Sequence, residues 1–206
     1  MIYSININTL KAAQFCSATK DVRYYLNSVY LDFKIDTVTP HVNIIATDGH
    51  VLAAYNDKLP IENRGDDGAD FALIVPLDTI KAVLKMVGKN QKTVALEKTG
   101  ENWRFGNDLN FSPIDGKYPE YTRVIPATEK RHYTGDGPRF DPEILSRAQK
   151  SISVRLGYTA NTKNKGFMSY GPTKNDSAVL HNGDNLSVVV VMPMKNAENV
   201  YYGFTV

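Results

Sequence analysis

The stretch His41-Val-Asn-Ile-Ile-Ala-Thr-Asp-Gly-His-Val-Leu-Ala-Ala-Tyr55 holds two strand-like runs, His41–Thr47 and Val51–Tyr55, separated by a turn signal. Working outward from it, β-branched or alternating runs recur at Ile2–Ile7, Val22–Phe33, Phe71–Val75, Val94–Glu97, Trp103–Phe105, Val154–Thr159, Phe167–Tyr170 and Leu186–Met192. Three amphipathic segments punctuate them: Thr9–Thr19, Asp78–Val87 and Asp141–Ile152. Asp78 suits an N-cap, and Asp141-Pro142-Glu143 places a capping carboxylate ahead of a proline at the first helical position. Strands and helices together predict an α+β fold.

The triplets Leu10-Lys11-Ala12, Ile80-Lys81-Ala82 and Ser146-Arg147-Ala148 put a basic residue before alanine in each helix, about 65 to 70 residues apart. That spacing suits repeated lobes rather than a solenoid, although chance similarity between amphipathic helices also produces such triplets. Pro60–Asp70 and Ala160–Asn185 are rich in Gly, Asn, Asp and Lys and read as a connection and a loose, partly looped region. A domain boundary fits best within Pro126–Asp136.

The 206 residues suffice for one large or two small domains. Apolar residues make up 42% and no run reaches membrane-span length, so a soluble, cytoplasmic protein is expected. A single cysteine, Cys16, excludes an internal disulfide and a multi-cysteine metal site. The net charge of +2 is too mild to announce a nucleic-acid binder by composition, so any DNA contact must arise from how charges are placed.

Motifs of catalysis are missing. There is no dinucleotide or phosphate loop and no HExxH, and His41, His50, His132 and His181 are scattered without ligand spacing. Gly166–Gly171 has one residue too many for a nucleophile elbow, and Asp66-Asp67 reads as a solvated turn. No cofactor, metal or catalytic residue is expected. The informative polar residues lie on helices: Ile80, Val83, Leu84 and Val87 form an apolar stripe opposite Lys81 and Lys85, and Ile144, Leu145, Ala148 and Ile152 one opposite Arg147 and Lys150. A solvated helix with snorkelling cations produces the same pattern as a phosphate-binding face.

Four segments, in order, resemble one family. Asp21-Val-Arg-Tyr-Tyr-Leu-Asn27 and Ala46-Thr-Asp-Gly-His-Val-Leu-Ala53 are similar to the middle domain of the bacterial DNA polymerase III beta subunit, the DNA sliding clamp. Ile114-Asp-Gly-Lys-Tyr-Pro-Glu-Tyr-Thr-Arg-Val-Ile-Pro126 resembles that family's linker into its last domain, and Val190-Val-Met-Pro-Met-Lys195 its carboxy-terminal end. The resemblance implies clamp-like lobes with helices packed on antiparallel sheets, residues 1–126 as a middle-domain-like unit and 127–206 as a shortened last domain with an extension.

The resemblance further implies a processivity or docking factor rather than an enzyme. Its partners would be double-stranded DNA, held without reading sequence, and a polymerase, loader or other protein carrying a clamp-binding peptide. Lys11, Lys81, Lys85, Arg147 and Lys150 would meet phosphates, with Lys20, Tyr24 and Tyr25 near the ring mouth. The peptide pocket would be formed by Leu26, Thr47, Gly49, His50, Leu52, Pro119, Arg123, Val124, Val190, Met192, Pro193 and Met194, whose Met side chains suit an adaptable groove.

Three departures qualify it. Val51 follows His50 where the family has a basic residue, Lys195 stands for an arginine, and residues 196–206 run past the family's usual end. That tail reads as an added strand covering a sheet edge, or as a segment folding into the pocket. The reduced size suits a phage- or mobile-element-encoded form and predicts a monomer or weak oligomer instead of the usual two-subunit ring. The alternative is an adaptor or decoy that keeps the pocket without encircling DNA.

Overall fold

A computed structural model describes residues 2–35, 37–60, 69–125, 138–158, 167–170, 175–182 and 186–194. Among the described residues the strands are β1 (Ile2–Asn6), β2 (Ser28–Lys34), β3 (His41–Thr47), β4 (Val51–Lys58), β5 (Phe71–Pro76), β6 (Thr93–Thr99), β7 (Asn102–Phe105), β8 (Leu109–Phe111), β9 (Phe167–Tyr170), β10 (Ala178–His181) and β11 (Ser187–Val191). The helices are α1 (Ile7–Ala13), α2 (Leu77–Met86) and α3 (Pro142–Arg155). All pairings are antiparallel, in a four-stranded sheet ordered β1-β6-β7-β8 and a seven-stranded sheet ordered β5-β2-β3-β4-β11-β10-β9. This is the α+β architecture that the sequence pattern predicts.

Alternation along the strands sends Val29, Leu31 and Phe33, Val42 and Ile44, Val51, Ala53 and Tyr55, and Val189 and Val191 to one face of the long sheet. There they share a single core with the helices and the small sheet. Ile80 and Val83 of α2 and Ala148 and Ile152 of α3 are buried in it, so the expected apolar stripes are the packing faces. Asn6 caps α1 by accepting from the backbone N–H groups of Asn8 and Thr9. Asp141 caps α3 through Glu143 N–H, with Pro142 in the first turn.

Several expectations need correction. Residues 22–27 are not strand: Asp21 accepts from the N–H of Arg23, and the Asn27 side chain bridges both backbone groups of Asp21. These local bonds win over pairing and fold Tyr24–Leu26 into a 3-10 turn, so β2 starts at Ser28. Val154 and Arg155 end α3 instead of starting a strand. Gly157, at φ +66°, turns the chain while the N–H groups of Gly157 and Tyr158 bond to the carbonyls of Val154 and Ser153.

The first helix ends at Ala13 and passes into a 3-10 turn over Gln14–Cys16, short of Thr19. Asp78 lies inside the first turn of α2, where Pro76 occupies the capping position without a side-chain bond. Strands β8 and β10 were not expected, and β9 and β10 fall in the stretch read as loose. The expected boundary at 126–136, most of the 60–70 connection and the tail 196–206 lie outside the described residues.

Candidate functional site

The seven-stranded sheet has two faces, and the candidate residues divide between them. On the helix side, α1 packs against both α2 and α3. Lys11, Lys81, Lys85 and Lys150 are exposed there, since the opposite face of each helix is committed to the core. Lys150 Nζ sits 4.7 Å from the centre of the Phe15 ring, and Lys81 Nζ lies 3.5 Å from Asp78 Oδ1. Arg147 differs from the lysines: it is half-buried, and its guanidinium donates to Asp48 Oδ2.

Lys20 is exposed in a left-handed conformation, φ 61°, at the tip of the loop before β2. Tyr24 is 57% exposed and donates to the carbonyl of Asp115 over 3.2 Å, while Tyr25 packs edge-on to it and against the outer face of the sheet. Exposed beside the Asp48–Gly49 turn, Arg23 holds Asp21 through two nitrogens at 3.0 and 2.8 Å. That pairing keeps the Asp21 carboxyl down near 2, well below its ordinary 3.8. Gly49, at φ +93°, gives the β3–β4 turn a backbone that side chains resist, and Asp48 Oδ1 fixes the turn by accepting from the N–H groups of His50 and Val51.

On the outer face, Ile45, Leu52, Ile74, Tyr118, Val179 and Val190 form a second apolar cluster, against which Val124 packs. Register explains the gathering: Leu52 of β4 lies between Thr47 of β3 and Val190 of β11. Thr47 is buried, donating to Val51 O and accepting from Gly49 N–H. Pairing continues past β11 as the Met192 N–H bonds to His50 O and the Met194 N–H to Arg139 O. Thus Thr47, Leu52, Val124 and Val190 come together, with Gly49, His50, Met192, Pro193 and Met194 at the β4–β11 end, Met194 being 51% exposed. Pro119 and Arg123 are exposed on the 113–125 segment, and Leu26 is buried within its turn, outside the cluster.

Two clefts open on this side. One, of about 580 Å³, lies over β2 and β5 beneath residues 113–122, where Tyr30 stacks on Tyr118 at 4.6 Å and Tyr121 donates to Asp32. The other, of about 520 Å³, runs along β3, β4 and β11 under Tyr121 and Ile125. Of the twelve expected pocket residues, only Pro119 lines either.

Sequence reasoning also missed a set of polar ties that hold α3 to the sheet. Arg147, Ser151 and Arg155 recur one helical turn apart. They meet Asp48, Tyr55 and Asp57: Ser151 Oγ lies 2.5 Å from Tyr55 Oη and donates to Ala12 O, and Arg155 pairs with Asp57 at 2.6 Å while donating to Asn56 O. Burial raises the Asp57 carboxyl above the usual range, with Arg155 pulling the other way. Cys16, fully buried beside this network, is pushed up to about 12 by the same desolvation. Only spatial partners at sequence separations near a hundred residues would have revealed these ties.

Residues 5–120 match the family model described as the DNA polymerase III beta subunit, central domain. The beta sliding clamp of Caulobacter vibrioides is 31% identical over 157 residues, covering 73% of this chain and 41% of that protein. That of Escherichia coli is 31% identical over 164 residues, covering 78% and 40%. The solved sliding clamps of Pseudomonas aeruginosa and Bacillus subtilis superpose on 95% of the chain with TM-scores of 0.65 and 0.68, at 20% and 15% identity, and it covers 66% and 64% of them. The chain spans about two fifths of the length of those curated relatives. From the match to the central domain and these identities, the chain belongs to the DNA polymerase III beta subunit family, the bacterial sliding clamps.

Proposed function

We propose that the protein is a clamp-like accessory factor of DNA replication, working by binding and positioning rather than catalysis. Lys11, Lys81, Lys85 and Lys150 meet the phosphates of double-stranded DNA, with Lys20 and Tyr24 at the edge. Phosphate contacts carry no sequence information, which is what a protein that moves along DNA requires. Arg147, already paired with Asp48, contributes less. On the other face, Leu52, Val190 and Val124, rimmed by Met192 and Met194, receive a short apolar peptide from a polymerase or clamp loader. In this reading, residues 1–126 and 127–206 act as two lobes that supply this groove together.

The observation that carries the reading is the division of labour across one sheet: exposed lysines on the helix side, a pooled apolar cluster on the outer side. Calorimetric titration of a short clamp-binding peptide into wild type, Met192→Ala and Val124→Ala tests the groove. A central anchor lost from such a groove costs about 1–2 kcal/mol, and equal affinities would defeat the assignment. Duplex binding measured from 50 to 200 mM salt tests the helix side, where Lys81→Ala with Lys85→Ala should reduce the salt slope by nearly 2.

A second reading is favoured by the engagement of Arg147 with Asp48 and of Lys81 with Asp78, which leaves fewer free cations toward DNA. It makes the protein an adaptor or decoy that keeps the groove without encircling DNA. Solution mass with and without circular DNA separates the two, and we expect a monomer or weak oligomer in the absence of DNA.

A further inference from the structure

Rows of side chains on the outer face continue the proposed peptide groove away from Leu52. The row Thr47–Leu52–Val190 is followed by Ile45–Ala54–Val188, then by Asn43–Asn56 beside Leu186, and finally by His41–Lys58. Each step is two residues along β4, about 7 Å, so the rows extend about 20 Å. The last rows form the floor of the 520 Å³ cleft along β3, β4 and β11. Its wall is the segment that also carries Val124: Tyr121 and Ile125 line the cleft as Val124 packs on the apolar cluster.

The chemistry changes along this track. At the Leu52 end it is apolar, with Leu52 and Val190 themselves buried in the outer cluster. In the middle, Asn56 Nδ2 donates to Asn43 Oδ1 over 2.8 Å and Asn43 also bonds the Tyr121 hydroxyl, so the amide hydrogen-bonding capacity left at this half-buried floor is mainly that of Asn56. Leu186, 38% exposed, offers an uncovered apolar side chain next to it. At the far end Lys58 is exposed and makes no ion pair among the described residues. Its neighbour Asp57 points through the opposite face to Arg155, Asp32 below the wall is held by Tyr121 and Lys34, and Glu120 on the wall segment accepts from the Thr122 hydroxyl.

We propose that this cleft is a second recognition site, for an extended, acidic flanking segment of the same partner peptide that anchors on Leu52 and Val190. The inference rests on the proposed groove and adds to it the class of partner: a peptide with apolar anchors at one end and Asp or Glu four to six residues away. The amide of Asn56 bonds its main chain, Leu186 and Ile125 cover one side chain, and Lys58 pairs with its carboxylate. A strand-like peptide suits the track because its residues advance in step with the rows beneath it.

The test is fluorescence anisotropy with three labelled peptides: the clamp-binding core alone, the core with three flanking glutamates, and the core with three flanking lysines, each flank placed at either end in turn. For wild type, the acidic flank at one end should tighten binding about five-fold over the core and the lysine flank should not, with the gain fading as salt rises. Lys58→Glu should abolish that gain and leave core affinity unchanged; Asn56→Ala should reduce the gain. If acidic and lysine flanks bind alike, or Lys58→Glu leaves the gain intact, the second site is refuted while the core groove stands. If the core peptide itself does not bind wild type, the groove and this extension both fall.

Discussion

Replacing Asp57 by alanine should cost more than any surface substitution in this chain, because it strands a cation. The Asp57 and Arg155 side chains are 12% and 15% exposed and meet at 2.6 Å. Breaking a buried pair from one side typically costs about 3–5 kcal/mol, since the remaining charge keeps its desolvation without its partner. Arg155 retains the Asn56 carbonyl at 3.2 Å and lies 5.9 Å from the centre of the Tyr55 ring, so the lower end, about 3 kcal/mol, is expected. Urea unfolding followed by far-UV circular dichroism and by the fluorescence of Trp103, buried on β7 of the small sheet, measures it. The double variant Asp57→Leu with Arg155→Met should recover most of the loss, because neither charge is left unpaired. A loss below about 1 kcal/mol for Asp57→Ala, or additive losses in the double variant, would refute the claim that this pair ties α3 to the sheet.

Ser151→Ala should cost about 1–3 kcal/mol by the same assay, since it leaves the buried Tyr55 hydroxyl without an acceptor and removes the side-chain donor to Ala12 O; Tyr55→Phe, which keeps the Ser151 bond to Ala12, should cost less. Cys16, buried and pushed up to about 12, should resist alkylation at pH 8 in the native protein and react promptly in urea, and equal rates would contradict its placement. Asp21, held near 2 by Arg23, adds stability that is present above its ordinary 3.8 and disappears as pH falls toward 2. Comparing acid unfolding of wild type and Asp21→Asn should therefore show a difference that closes between pH 4 and 2. Asp57, raised by burial, has the opposite sign: its titration favours the folded state at low pH and that contribution falls as pH rises, so Asp57→Asn should flatten that part of the profile.

What the sequence made legible was whatever local chemistry decides. The runs at 41–47 and 51–55 alternate or are apolar throughout and became β3 and β4, and Asp141-Pro142 announced the start of α3. Three-residue β8 was too short to carry a pattern, and β10 exists because its Ala178 and Leu180 enter a core supplied from elsewhere. The 22–27 region has strand-forming residues, yet Asp21 and Asn27 overrule them with side-chain bonds whose partners are unmarked in the sequence. Leu52, Val124 and Val190, singled out through resemblance, do cluster in the fold, whereas the cleft lined by Asn43, Asn56 and Lys58 was not foreseen, because polar residues on a strand look the same whether they floor a cleft or face open water. Asp48 and Arg147 are 99 positions apart, and only the folded chain makes them a pair.

The pairing of Val51 with Val191 has a kinetic consequence. Strand β4 ends at Lys58, yet its outer partner, β11, begins only at Ser187 and so is made much later. Until then the outer edge of β4 presents unpaired amides and carbonyls beside Leu52 and Ala54. Closing so long a loop raises the folding barrier more than it changes final stability. The nascent chain therefore spends an extended interval with an adhesive edge, and a ribosome paused before residue 187 should yield a species prone to pair with its neighbours, whereas one released after β11 forms should not.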